Sequence, residues 1–221
     1  MAKGLITGAN RGIGLETVKR LVEAGWEMTA LCRNTSDELE AMGANLQIVK
    51  GVDVTDADAL STAVENLEGP YELVINNAGI LIPDDLGGFS AADIEKQFLI
   101  NALAPLQLSR LLLPKMSSPS KLVMITSRMG SIADNSGGGQ YGYRMSKAAL
   151  NAASMSLSID LKEKGISVGI FHPGWVKTDM TDHRGHLTAE EVSKRIMRLI
   201  GKLGLHNSGR FLHSDGSRLP W

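Results

Sequence analysis

Thr7-Gly8-Ala9-Asn10-Arg11-Gly12-Ile13-Gly14 is the stretch on which the reading of this 221-residue chain turns. A short apolar run at 4–7 leads into it, and a helical pattern at 12–24 leads out. Glycines at a strand-to-helix junction let the backbone turn sharply and approach a pyrophosphate. The new helix offers unpaired N–H groups and the positive end of its dipole. The spacing is G-x-x-x-G-x-G, a residue looser than the usual dinucleotide fingerprint. Glycines also serve bare turns, so the rest of the chain decides.

Outward from this turn, apolar β-rich runs at 27–31, 46–50, 73–76, 121–126, 167–171 and 210–213 alternate with helical patterns. The helical patterns fall at 37–42, 57–66, 92–115, 141–164 and 189–203. The alternation predicts an α/β fold: one Rossmann-like domain over 1–221, a doubly wound parallel sheet of about seven strands with helices on both faces. Apolar residues at 43% and charged residues at 21% suit a soluble globule with one sizeable core. A net charge of −1 supplies no field for nucleic acid or an anionic membrane. No apolar run reaches the roughly 18 residues of a membrane span, and no signal-peptide core opens the chain. Cys32 stands alone, which excludes an internal disulfide. Together these predict a cytoplasmic protein. The five histidines have no ligand spacing, so no metal is expected. Ser136-Gly137-Gly138-Gly139 reads as a flexible loop.

Tyr143 and Lys147 lie four apart in a helical pattern, on one face and a turn apart. A free phenol, with a pKa near ~10, exchanges protons poorly at neutrality, and a neighbouring ammonium favours phenolate. The pair therefore predicts an acid/base tyrosine of lowered pKa. Tyr141 is a rival, but its fourth residue on is Met145, which carries no charge. Ser127 follows the fifth predicted strand, where open α/β sheets place ligands. Thr126 and Ser131 are alternatives. Pro105 has no N–H and would leave the carbonyl of Asn101 without its helical partner.

The glycine turn, Asp53-Val54, Asn76-Asn77-Ala78-Gly79, Asn101, Ser127, Tyr143-x-x-x-Lys147 and Pro173-Gly174 occur in the order of the short-chain dehydrogenase/reductase family. The chain resembles that family from residue 7 to residue 178. Its Ser127-Arg128-Met129-Gly130-Ser131-Ile132 stretch and short C-terminus are most similar to small carbonyl reductases of the sniffer and C-factor type. The separation of Ser127 and Tyr143, sixteen positions, is a few residues longer than is commonest in the family. The resemblance implies a catalytic group of Asn101, Ser127, Tyr143 and Lys147, with a water at the Asn101 carbonyl linking Lys147 to solvent. Lys147 would also bind the nicotinamide ribose. Asp53 and Val54 would meet the adenine, and Val176 and Thr178, after Pro173-Gly174, the carboxamide. Gly8, Asn10, Arg11, Gly12, Ile13, Gly14, Asn77, Ala78 and Gly79 would line the rest of the nucleotide. Asp53 could instead cap a helix, although Thr55 or Asp56 fits that better. Asn77 could equally serve the strand-to-helix join.

The second strand ends Leu31-Cys32-Arg33-Asn34, without the acid that takes a ribose 2′-hydroxyl in NAD-binding domains. Arg33, with Arg11 opposite, suits a 2′-phosphate, unless both are solvated surface charges. NADP(H) is the expected cofactor. About ten residues after Thr178, 179–188, form a short substrate lid, which predicts an open pocket and a broad range of ketones or aldehydes. Met129, Trp175, Met180 and His183 are candidate lining residues. Small residues along 148–156, and the family's habit of pairing this helix with 92–115, predict a homodimer or homotetramer. Two other readings stay open. One is a 3-oxoacyl-thioester reductase, for which no basic carrier patch is evident. The other is a weakly catalytic NADP-binding signalling protein, against which the complete set Ser127, Tyr143 and Lys147 argues.

Overall fold

The computed structural model describes all residues 1–221. β1 (Lys3–Thr7), β2 (Glu27–Leu31), β3 (Leu46–Val49), β4 (Tyr71–Asn76), β5 (Met116–Ile125), β6 (Ile166–His172) and β7 (Phe211–His213) form one sheet in the order β3-β2-β1-β4-β5-β6-β7. Every pairing is parallel. The order reverses between β1 and β4, and the crevice outside those strand ends is where such sheets hold ligands.

Period-two alternation divides the sheet between two cores. Leu5, Val74, Leu122 and Ile170 face α3 (Ala57–Glu65), α5 (Ala104–Leu112) and α6 (Tyr141–Asp160). Ile6, Ile75, Val123 and Phe171 face α1 (Gly12–Glu23), α2 (Asp37–Glu40) and α7 (Ala189–Lys202). Helices therefore cover both faces, as the alternation predicts. Leu15, Val18 and Leu21 turn one face of α1 to the sheet, and Arg20 crosses to α7 through Ser193 at 2.7 Å.

Four expectations need correction. The helix expected over 92–115 is α4 (Ala91–Phe98), a π-helical turn (Leu99–Leu103), α5 and a 3₁₀ turn (Leu113–Lys115). The wide turn lies just ahead of Pro105, which cannot donate to the residue-101 carbonyl, and the Ala104 N–H reaches back five residues to Leu99. β5 begins at Met116 rather than 121, pairing there with Tyr71. α6 stops at Asp160, because the chain turns through Gly165 at φ 72°. The glycine patch at 136–139 is held rather than free. Arg144 donates to the Gly139 carbonyl at 3.1 Å and the Gly138 carbonyl at 3.4 Å, and Gly138 donates to Asn135 Oδ1. No helix is long and apolar enough to cross a membrane.

Candidate active site

The glycine turn closes against the ends of two other strands. Gly8 and Gly12 have φ of 65° and 56°, where a side chain is strained. A Cβ at Gly8 would lie 2.9 Å from Ala78 Cα, and one at Gly14 would lie 2.2 Å from the Gly8 carbonyl and 2.6 Å from Asn77 Nδ2. At Gly12 it would meet Thr178 Cγ2 at 3.3 Å. The α1 start has no capping side chain and no acid in its first turn, so its N–H groups point outward free. The Ala9 and Asn10 N–H groups point instead at the Cys32 sulfur, whose burial raises the thiol pKa. Ile13 packs on the α1-side core.

Asn77 performs the joining role. Its Nδ2 donates to the Thr7 and Gly8 carbonyls, and the Asn77 and Ala78 N–H groups donate to Thr7 Oγ1, all at 3.0 Å. Thr7 was within the diagnostic stretch, yet its hydroxyl carries a role its position alone did not signal. Val54 adjoins Thr7, Asn76 and Ala78 at the same crevice. Asp53 accepts from the Thr55 N–H and hydroxyl at 2.9 and 2.7 Å. These bonds first, and then Arg33, hold its carboxyl below the usual range. Asp56, not Asp53, caps α3. Arg33 and Asp53 stand 4.0 Å apart and exposed at the ends of β2 and β3. Arg11 does not join them. It turns to Asp179, at 2.6 Å, on the Thr178 side.

Ser127, Tyr143, Lys147 and Asn101 come together at the C-terminal edge of the sheet, with exposures of 6%, 7%, 4% and 0%. Lys147 Nζ lies 5.8 Å from the Tyr143 ring centre and donates to the Ile125 carbonyl at 3.0 Å. Burial pushes its pKa down to about 8. Burial also pushes the Tyr143 phenol up to about 12, and hydrogen bonding with Ser127 only partly opposes this. The lowering expected from the neighbouring lysine is therefore corrected for the nucleotide-free protein: desolvation by burial outweighs the opposing contact with Ser127. Ser127 also accepts from the Met129 N–H at 3.1 Å. Asn101 holds the loop after β4, accepting from the Ile80 N–H and donating to the Ile80 carbonyl, both at 2.8 Å. It also donates to Ser146 at 3.0 Å, and Ser146 donates to the Tyr143 carbonyl. A Cβ at Gly79 would come within 3.0 Å of Asn101 Oδ1 and 3.5 Å of Lys147 Nζ. Ser146, Gln97 and Asp84, which tie these segments together, carry no local motif and were not foreseen.

Pro173 and Gly174 start the loop that returns to the glycine turn. Gly174 has φ of 100°, and a Cβ there would press on Leu187 at 2.9 Å. Val176 is buried and bridges to Leu187, which places Thr178 over Gly12. The lid folds back on this loop: the His186 N–H donates to the Trp175 carbonyl and the Lys177 N–H to the Leu187 carbonyl, both at 2.8 Å. Trp175, Met180 and His183 are exposed, and Met129 is half-buried. His183 pairs with Asp179 at 3.1 Å. No cluster of His, Cys, Asp and Glu is placed to hold a metal ion.

A parallel sheet with a glycine-lined switch point, and a buried Ser-Tyr-Lys group beside it, defines a Rossmann-type oxidoreductase. The short chain dehydrogenase profile matches residues 3–188, and the chain belongs to that family. It is 34% identical, over the whole of both chains, to 1-hydroxy-2-glutathionyl-2-methyl-3-butene dehydrogenase of Rhodococcus sp. (strain AD45). Among solved structures, carbonyl reductase Sniffer of D. melanogaster superposes with a TM-score of 0.93 at 32% identity, covering all of both chains. The NADPH-bound carbonyl reductase from chicken fatty liver superposes at 0.90 with 32% identity, covering all of this chain and 94% of the other.

Proposed function

We propose that the chain is an NADP(H)-dependent carbonyl reductase, acting reversibly on ketones or aldehydes of broad range, with residues 1–221 working as one cytoplasmic domain. The observation that carries this is the burial of Ser127, Tyr143 and Lys147 together beside the glycine turn, with Arg33 where an NAD site would place an acid. The cradle fits a dinucleotide: Gly8, Gly12 and Gly14 leave spaces that side chains would fill, and the α1 N–H groups are free for phosphate. NADPH, when bound, supplies the hydride. Arg33 suits its 2′-phosphate, and Arg11 can join by leaving an exposed pair with Asp179, worth about 0–1 kcal/mol.

Tyr143, with its pKa near 12 in the nucleotide-free site, keeps its proton on Oη at neutral pH, ready for a carbonyl oxygen. Ser127, buried beside Tyr143, would hold that oxygen in line. Lys147 sits where it can bind a ribose, and Asn101 fixes the Ile80 segment beside it. Asp53 and Val54 fit the adenine end, and Val176 and Thr178 the carboxamide end. The lid's tight return leaves the mouth open, which supports broad selectivity. Met145, Ala152, Met155 and Ile159 form an exposed stripe on α6 that supports a homodimer or homotetramer.

NADPH consumption over a panel of ketones and aldehydes, with Tyr143→Phe beside it, tests the reading. The panel includes, in the oxidative direction, an alcohol bearing a glutathionyl group, the substrate type named for the Rhodococcus relative. Turnover in the wild type and its loss in the variant is expected. Equal turnover in both removes Tyr143 from its role.

A further inference from the structure

We propose that Asp84 is a positioning residue for Tyr143: its carboxylate, reaching from the loop after β4, caps the start of the catalytic helix α6 and fixes the turn that carries the phenol. The inference rests on the carbonyl reductase reading above. α6 has no cap of its own. The residue before it, Gln140, bonds nothing through its side chain at the helix start and has φ of 55°, a left-handed conformation unusual for a residue with a side chain. Asp84 supplies what is missing. One carboxylate oxygen accepts from the Tyr141 N–H and the other from the Gly142 N–H at 2.8 Å, while the Asp84 carbonyl accepts from the Gln140 N–H at 2.9 Å. Three consecutive N–H groups are thus bound by a residue 57 positions or so away in sequence.

The loop that presents Asp84 is itself fixed. Asn101 grips Ile80 through both of its main-chain groups, and Gln97, also wholly buried, grips Ile82 the same way at 3.0 and 3.2 Å. The contact with α6 is close. A Cβ at Gly142 would come within 2.5 Å of Gln97 Nε2 and 3.0 Å of Asp84 Oδ2. Tyr143 is the next residue. Its height above the sheet, and so its distance from Ser127 on β5's end, follows from where Asp84 holds the first turn. Small displacements of a catalytic group can cost about a hundredfold in rate, whereas Gly8, Gly12 and Gly14 sit on the β1–α1 turn, to which Asp84 makes no hydrogen bond.

The test is Asp84→Asn, with Asp84→Ser as the second variant. Asn keeps the size but offers one acceptor oxygen and turns an amide NH₂ toward the other N–H. Ser is a good helix cap that can bind one of them. Asp84→Asn should lower kcat ten- to a hundredfold with NADPH Kd unchanged within about twofold, and Asp84→Ser should recover part of the loss. Amide hydrogen exchange at residues 140–143 should quicken in Asp84→Asn. That measurement needs no turnover, so it stands even if no carbonyl proves to be a substrate. Unchanged exchange and kcat within twofold of wild type would overturn the proposal. So would a loss of kcat matched by an equal loss of NADPH affinity, the mark of general damage. A wild type without turnover, but with fast exchange in Asp84→Asn, would instead count against the reductase reading alone.

Discussion

Replacing Lys147 by Met is expected to abolish turnover and yet stabilise the nucleotide-free protein near neutral pH. Lys147 is 4% exposed, and burial takes its pKa from 10.5 to about 8. At about 1.36 kcal/mol per pH unit, the folded state disfavours the ammonium by about 3 kcal/mol. Against that stands the 3.0 Å bond to the Ile125 carbonyl. Leaving that acceptor bare costs about 1–2 kcal/mol. Methionine is close to lysine's length and adapts to the space, so desolvation wins and the variant should gain about 1–2 kcal/mol at pH 7, or about 2–8 °C in Tm. The pH dependence is the sharper readout. Below pH 8 the lysine is protonated folded and unfolded, and the burial penalty is fully present. Between pH 8 and 10.5 the unfolded chain binds more protons than the folded one, so wild-type stability rises with pH through that window. By about pH 9.5 only ~1.4 kcal/mol of the penalty remains, and the variant's advantage should vanish. Melting both proteins without nucleotide from about pH 7 to about pH 9.5 measures the difference, in which other lysines cancel. A variant no more stable than wild type at neutrality, or a gap constant with pH, refutes the argument.

Tyr143→Phe should reduce kcat/KM by about 10²–10⁴, the range of a general acid, while calorimetry finds NADPH binding intact. Because the phenol is pushed up to about 12, ultraviolet titration of the nucleotide-free wild type minus this variant should show no phenolate at pH 10. Arg33→Ala should weaken NADPH binding about ten- to a hundredfold and leave NADH unchanged, since only the former carries the 2′-phosphate; parallel loss of both would assign Arg33 to the surface. Gly14→Ala should destabilise by about 2 kcal/mol or more, its methyl group being driven to within 2.2 Å of the Gly8 carbonyl, and urea unfolding would read this directly.

Features set by a few neighbouring residues could be read from the sequence; those set by burial or by distant partners could not. The β–glycine–helix stretch at 7–14 and the period-two runs of Leu5-Ile6 and Leu73-Val74-Ile75 depend only on local chemistry, and they place the sheet and both helical layers. Tyr143 and Lys147 are neighbours by helix geometry alone. The sign of the phenol's shift is another matter. Spacing shows which charge is near, but how much water is lost depends on the whole fold. The π turn at Leu99–Leu103 was signalled only by Pro105, and a kink and a widened turn share that signal. Arg11 was expected to face Arg33, but Asp179, 168 residues on, takes its guanidinium. Met116–Ser120 was missed as strand because it is polar and holds a proline, a pattern sheets admit at irregularities such as the register shift of β5 against Tyr71 and Leu73.

The site depends on strand order more than on any one motif. A Cβ at Gly8 would meet Ala78 after β4, one at Gly14 would meet Asn77, and one at Gly12 would meet Thr178 after β6. β1 lies beside β4, so the first two contacts are between neighbours. The third spans β4 and β5, and it exists only because the loop from Pro173 to Thr178 is pulled back by Val176 and Leu187. Thr178 is thus placed over the glycine turn by packing under the lid. The same packing limits the lid's freedom, since a Cβ at Gly185 would meet the Val176 and Lys177 backbone at 2.3 and 2.5 Å. Any side chain at Gly185 would therefore displace the lid and, through Val176 and Lys177, Thr178 with it.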